Sequence, residues 1–534
     1  MSEFTENNNY RITIPNATDI FNTLLNDNNF QRDVQMVEGE NGMYSYTSTG
    51  NKNLDFFSKL SRNSQPETII EMFKNAYNED KVTALQIMMN YRDRNGKQEK
   101  NIGRVIMSYL KEHCPHTYCL NLLLFVENGY IKDLSELYSM KPNVNNIANG
   151  IEANIYSKLL EHDKQVFEEN EENQISLAAK WAPRENSKYP GLAKEIASIL
   201  TPNGNLSKQL KVYRKSYLTP LNKKLNTLEI NLSSKEYENI KIEQIPGTAL
   251  KKTKKGLIRN MPEKYEEFLN KCKTGEVKMK TTGIQPHELI REIESGNETS
   301  EIQLNQIIEN LRESGVFENT LPVSDVSGSM SGIPMEVSVA LGFVLSQLQN
   351  DEFKDKLITF SGNPILHNLT GNTTKDKLSS IRRMDWGGNT DFIKMFEMLL
   401  QDAITRRITE DKMVKQIIVF TDMEFDCAHD PNNSYNYGYN RTNQNSTKYD
   451  TGYEIIKIKY EENGLTLPKI VFWNLIDSVT SFPVRKDTPG VALMNGFSSE
   501  MLKLFMEDGE ITPLEIMKKA ICKYNVINLN EEIN

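Results

Sequence analysis

A chain of 534 residues, 38% hydrophobic and 25% charged, has the make-up of a folded globular protein of two to four domains. No apolar run approaches the roughly 18 residues that a membrane-spanning helix needs, and the start, Met1 to Asn7, lacks the basic and apolar stretches of a secretory leader. The formal net charge of -9 and five scattered cysteines (Cys114, Cys119, Cys272, Cys427, Cys522) fit a non-secreted protein of a reducing compartment, and exclude a disulfide scaffold.

Residues 1–50 are Asn-rich and weakly periodic, so an irregular arm is expected, with one short helix over Ile20–Leu25. Residues 51–315 read as a helical body. Thr68–Phe73, Val82–Met89, Ile102–Leu110 and Cys119–Phe125 carry apolar residues at helical spacing, separated by short polar joints, as in stacked helical repeats. Within the body, Lys208–Lys280 holds 18 Lys/Arg against 8 Asp/Glu, an excess of ten positive charges in an acidic chain. Tyr213, Arg214, Lys215, Lys223, Lys224, Lys251, Lys252, Lys254, Lys255 and Arg259 interleave cations with an aromatic. Such a set suits phosphate neutralisation and base stacking, and equally a solvated basic face.

From residue 316 to 534 the texture changes to strands alternating with helices, which predicts an α/β domain with a doubly wound sheet. Leu321–Ser324 is a short apolar strand followed by Asp325-Val326-Ser327-Gly328-Ser329. A helix is expected over Pro334–Gln349 and a hairpin over Lys356–Leu369. Trp386-Gly387-Gly388-Asn389-Thr390-Asp391 is a glycine turn before an amphipathic run, and Val414–Phe420 is a buried strand ending in Thr421-Asp422. Lys469–Leu475 and Val491–Met494 are further buried strands. Asp430–Gly452 is polar and rich in Asn, Tyr and Ser, the texture of a long loop.

The Asp-x-Ser-x-Ser pattern alone permits two readings. One is a Ser/Gly turn with an Asp capping the next helix. The other is a group of small hard oxygens that suits Mg²⁺ or Mn²⁺. The wider arrangement decides between them, because strand ends of an open parallel sheet converge on one edge, where ligands bind. This arrangement resembles the von Willebrand factor A domain and its metal-ion-dependent adhesion site. The resemblance implies one divalent ion held by Asp325, Ser327, Ser329, Thr390 and Asp422, with an acidic residue of a protein partner completing the coordination.

A second resemblance lies in Asn90-Tyr91-Arg92-Asp93-Arg94-Asn95-Gly96-Lys97-Gln98-Glu99-Lys100. It is similar to a loop of the domain of unknown function family 2828, found in giant DNA viruses, plants and other eukaryotes. It departs from that family's pattern at Asn95, Gln98 and Lys100 and is one residue shorter. Lys180–Glu185, Val212–Lys215 and Phe472–Asn474 resemble further blocks of the same family. That family in turn resembles Ro/TROVE proteins, which implies a HEAT-like ring of helical repeats that binds RNA, closed by a von Willebrand A domain. For a viral member the compartment would be host cytoplasm or virion.

Other chemistry has less behind it. His113–Cys119 lacks the second ligand cluster of a structural zinc site, and no phosphate-binding Gly-x-x-x-x-Gly-Lys-Ser/Thr occurs. No histidine adjoins a nucleophile pattern. The expectation is therefore a non-enzymatic, divalent-metal-dependent binding or scaffold protein, with RNA as a candidate partner of the helical body. The competing readings are a metal-dependent hydrolase and a structural virion component.

Overall fold

The computed structural model describes residues 36–38, 44–140, 147–169, 175–315, 317, 319–349, 353–359, 364–383, 392–423, 457–476, 481–506, 509 and 511–532. The helix expected over Ile20–Leu25, the glycine turn with Thr390, and the polar stretch Asp430–Gly452 lie outside these residues. The described part of the expected irregular arm contains two short strands. Strand β1 (Met36–Glu38) pairs antiparallel with β2 (Tyr44–Tyr46), and Tyr46 bridges to Phe482 far along the chain.

The helical body begins at the helix Lys52–Lys59 and continues through successive helices to Glu298–Ser314. Each buries one apolar stripe against its neighbours, as amphipathic helices in water must. The helix Lys100–His113, for example, buries Ile102, Ile106, Met107 and Leu110. Among the described residues the body contributes to two separate cores. A small one gathers Ile240, Ile242, Leu250, Leu257, Tyr265 and Phe268, all from the basic segment. The large one runs from Leu54 through the body and on into the C-terminal sheet, as far as Tyr524.

Among the described residues that sheet has six strands: β3 (Thr320–Ser324), β4 (Lys356–Thr359), β5 (Ile365–Asn368), β6 (Gln416–Thr421), β7 (Lys469–Asn474) and β8 (Val491–Asn495). Their spatial order is β5-β4-β3-β6-β7-β8, all parallel except β5, which returns antiparallel beside β4. Successive side chains point to opposite faces. Ile417, Val419, Ile470 and Phe472 pack with Met395, Phe396 and Leu399 of the helix Phe392–Arg406. Ile418, Phe420, Val471 and Trp473 face the other way, toward Val337, Leu341 and Val344 of the helix Ile333–Gln347. Both faces are covered, which is why these strands read as near-continuous apolar runs. Gly342 lets that helix lie close on β3, since a Cβ there would strike the Ser324 hydroxyl.

The body grips one end of the sheet. The helix Lys52–Lys59 leaves its last carbonyls without helical partners, and distant side chains supply them. Tyr91 donates its hydroxyl to Phe56 O (2.7 Å) and Phe57 O (3.0 Å). Lys97 donates to Phe57 O, Asn474 to Lys59 O (3.3 Å), and Asn495 to Leu60 O. Asn474 and Asn495 are the last residues of β7 and β8, and both are fully buried. The loop resembling the family block is thus a junction. Arg92 is buried against Asp133 (2.8 Å), Glu99 against Arg62 (3.1 Å), and Asp93 accepts from Tyr524 (2.7 Å). Two other such blocks meet each other, through Tyr213 with Pro183 O (2.8 Å) and Arg214 with Glu185 (2.7 Å).

Candidate metal site

The strand order reverses between β3 and β6, so a crevice opens beyond the C-terminal ends of these two strands. The register places Ser324 opposite Phe420, and the chain leaves β3 at Asp325 and β6 at Asp422. Both carboxylates sit in the crevice, Asp325 fully buried and Asp422 1% exposed. Asp325 is fixed on three sides. Its N–H donates to Phe420 O (2.9 Å), its Oδ2 accepts from the Thr421 hydroxyl (2.7 Å), and its Oδ1 accepts from the Ser327 N–H (2.9 Å). The last contact closes a tight turn, which swings Ser327 and Ser329 back toward the carboxylates.

Gly328–Met330 forms a single 3-10 turn, with Met330 buried as its anchor while Ser327 is half-exposed and Ser329 exposed. The serine hydroxyls lie 3.0 Å apart, and Ser329 donates to Asp422 Oδ2 at 2.5 Å. Four side chains from two strand ends therefore form one continuous oxygen array. Adjacent oxygens of an octahedron with a radius of 2.0–2.1 Å lie about 2.9 Å apart. The Ser327–Ser329 hydroxyl spacing of 3.0 Å is close to this, so those oxygens suit a small hard cation that takes their lone pairs. The donor set is oxygen alone, the chemistry of Mg²⁺ or Mn²⁺. Among the described residues, no three or more His, Cys, Asp or Glu side chains converge.

The electrostatics of the array favour a cation. Burial, and then the negative charge of Asp422, push the Asp325 carboxyl up to about 6, against the pull of the Thr421 and Ser327 hydrogen bonds. Two of the five residues expected from the sequence are carboxylates brought to one crevice, and Ser327 and Ser329 join them. Thr390 lies outside the described residues. Thr421 was missed by the sequence reading, although its place on the last turn of a strand before an Asp was visible. Met423 follows with a φ of 65° and donates its N–H to the Thr421 hydroxyl (3.1 Å), which turns the chain sharply away from the crevice.

The basic residues divide. Lys215, Lys223, Lys224, Lys252, Lys255, Arg214 and Arg259 are exposed. Lys251 is half-buried against Glu288 (3.4 Å) and Glu292 (3.3 Å), and Lys254 donates to Asn297. Tyr213 corrects the expectation of a stacking platform. Its ring is 2% exposed and belongs to the large core, because the π-helix Tyr213–Leu218 turns it inward. At His113–Cys119 one helix ends and the next, Pro115–Asn128, begins, and Cys114 is a buried free thiol. No helix among the described residues is long and apolar enough to cross a membrane.

Residues 39–150 and 150–317 match the family described as Domain of unknown function (DUF2828), and residues 319–530 match Domain of unknown function (DUF7788). An uncharacterised protein of Acanthamoeba polyphaga mimivirus is 33% identical over 530 residues, covering 92% of this chain and 89% of its own length. The crystal structure of the Deinococcus radiodurans RO (RSR) protein aligns over 86% of this chain and 91% of that one, at 12% identity and a TM-score of 0.37.

Proposed function

The chain belongs to the family of the Domain of unknown function DUF2828, and from that premise we propose that its α/β domain is of the von Willebrand A type and binds a protein partner through a divalent cation. The observation that carries this reading is the oxygen array. Two buried carboxylates and two hydroxyls meet in the crevice where the strand order reverses. Asp325 and Asp422 would neutralise Mg²⁺ or Mn²⁺, directly or through waters. Ser327 and Ser329 would give hydroxyl oxygens, and Thr390 a third. The ion would supply a positive centre able to accept a carboxylate from an acidic residue of the partner.

The same array supports binding better than hydrolysis. A two-metal hydrolase needs further converging carboxylates, and the described site offers two. The test is calorimetry with Mg²⁺ and Mn²⁺ on the full chain. One site, lost in Asp325→Ala, supports the reading, and undiminished binding in that variant overturns it. Recovery of proteins on the immobilised chain, with and without chelator, then identifies the partner. Metal-dependent turnover of nucleotides or RNA that Ser327→Ala abolishes would instead favour the hydrolase. RNA binding by the helical body is a second, separate reading. Its support is the exposed row Lys252, Lys255 and Arg259 on the helix Gly247–Asn260.

A further inference from the structure

The segment Lys523–Glu532 follows the helix Pro513–Ile521 and runs without regular secondary structure across two helices of the body, Lys81–Arg92 and Pro115–Asn128. Side chains of those helices meet its backbone. Gln86 donates to Tyr524 O (2.9 Å). Asn121 donates its amide to Ile527 O (2.6 Å) and accepts the Ile527 N–H on its Oδ1 (2.9 Å). One asparagine thus satisfies both backbone groups of one residue, as a neighbouring strand would. The segment is anchored at both ends. Tyr524 is buried, with its hydroxyl on Asp93 (2.7 Å). The Glu531 carboxylate accepts the Thr117 N–H (2.7 Å) and the His116 N–H (3.3 Å) at the start of a helix. Between the anchors, Ile527 and Leu529 are 47% and 52% exposed and add little burial.

The helical face beneath is polar in a way a plain packing surface is not. Asn90, Thr117 and Asn121 are all buried there, and buried polar groups are unfavourable unless something supplies hydrogen bonds. The segment supplies them incompletely, for Asn90 Oδ1 finds no partner among the described residues. Contacts to backbone and to the two anchors leave the side chains of Ile527 and Leu529 weakly specified.

We propose that this face is a binding groove for extended peptides carrying an aromatic residue and, seven positions later, an acidic pair. The segment Lys523–Glu532 fills the groove in cis as a displaceable stand-in, so a partner protein's segment must compete with it.

The test uses a fluorescent synthetic peptide of residues Lys523–Glu532 and the full chain. Ile527→Pro removes the N–H that Asn121 accepts and loosens the segment. The Ile527→Pro chain should bind the peptide saturably, at least tenfold more tightly than the unaltered chain, and adding Asn121→Ala should weaken that binding at least tenfold. No binding to an Ile527→Pro chain that still melts cooperatively overturns the proposal. So does equal binding to the unaltered chain, which would place the peptide elsewhere. Hydrogen exchange on the unaltered chain decides the matter if the variant fails to fold. Amides from Tyr524 to Glu531 should exchange through a local opening distinct from global unfolding, and exchange only by global unfolding overturns displacement.

Discussion

Lys97, in the loop after the helix Lys81–Arg92, donates its ammonium to the side-chain carbonyl of Asn495, the last residue of β8. The same ammonium caps Phe57 O and stands 3.4 Å from the centre of the Phe57 ring and 4.5 Å from that of Tyr91. A cation at a helix C-terminus, over two aromatic faces, is favoured by the helix dipole and by the rings. Burial nevertheless pushes the Lys97 ammonium well below its usual range, with Glu99 opposing the shift. The body and the sheet are therefore joined through a group that is costly to bury and harder still to replace.

Lys97→Met should leave the Asn495 carbonyl buried without its Lys97 donor, and Phe57 O with the Tyr91 hydroxyl alone. The expected loss is about 2 kcal/mol of stability, the scale of one unsatisfied buried acceptor. Because the large core runs through both parts, denaturant unfolding should stay a single transition by circular dichroism and by tryptophan fluorescence. Trp181 reports the body and Trp473 the sheet. Two separated transitions in the unaltered chain would contradict a shared core.

Asp325→Asn separates stability from metal binding. The substitution removes one of two repelling buried carboxylates while keeping an acceptor for Thr421. The metal-free variant should be more stable than the parent at pH 7 by about 3 kcal/mol, the scale of the shift in Asp325. The parent should gain about 2.7 kcal/mol from Mg²⁺ at a hundred times its Kd, and the variant should gain almost none. Thermal melts with and without Mg²⁺ check both signs. A variant that is destabilised without metal and still responds to Mg²⁺ would remove Asp325 from the site.

Much of the crevice was legible because strand ends are. An apolar run of alternating faces that stops at an acid marks the edge of a sheet, and Asp325 and Asp422 both follow such runs. Adjacent strands then bring the two acids together across 97 residues of sequence. The junction was not legible for the opposite reason. Lys97 and Asn495 lie 398 residues apart, and nothing local to either distinguishes a buried lysine or asparagine from an exposed one. Tyr213 was misread on the same account. Cations on both sides of an aromatic suggest a surface, but the winding of the backbone decides which way the ring points.

The acid limb of stability should carry two opposed contributions. His287 is 8% exposed, packed 5.6 Å from the Phe497 ring. Burial first, then Arg62, Lys251 and Arg291, push it down to about 4 from an ordinary 6.5. The unfolded chain therefore takes up this proton first, so stability should fall as pH drops from about 6.5 toward 4, by up to about 3 kcal/mol. Asp325 is raised, so the folded form binds its proton first, and its contribution grows as pH drops from about 6 toward 4. In metal-free melts across that window, His287→Gln should flatten the acid loss and Asp325→Asn should steepen it. Parallel curves for all three chains would reject both assignments.

The basic segment yields the last prediction, which turns on which cations are free to meet phosphate. On the helix Gly247–Asn260, Lys252, Lys255 and Arg259 are exposed at spacings of three and four residues, along one face. Lys251 is held by Glu288 and Glu292, and Lys254 by Asn297. If the body binds single-stranded RNA, replacing Lys252, Lys255 and Arg259 with Ser should weaken retention. It should also reduce the slope of log affinity against log salt by about 2, since each lost contact to a single strand is worth about 0.7. Lys251→Ser should instead lower thermal stability with little change in slope, because its ammonium is spent on two glutamates. Asp325→Ala should leave RNA retention unchanged, since its crevice opens from the sheet and the basic row stands on the body. Filter binding over a salt series checks each arm. Absence of retention of any RNA at low salt would remove nucleic acid from the body's partners and leave its basic row as a solvated face.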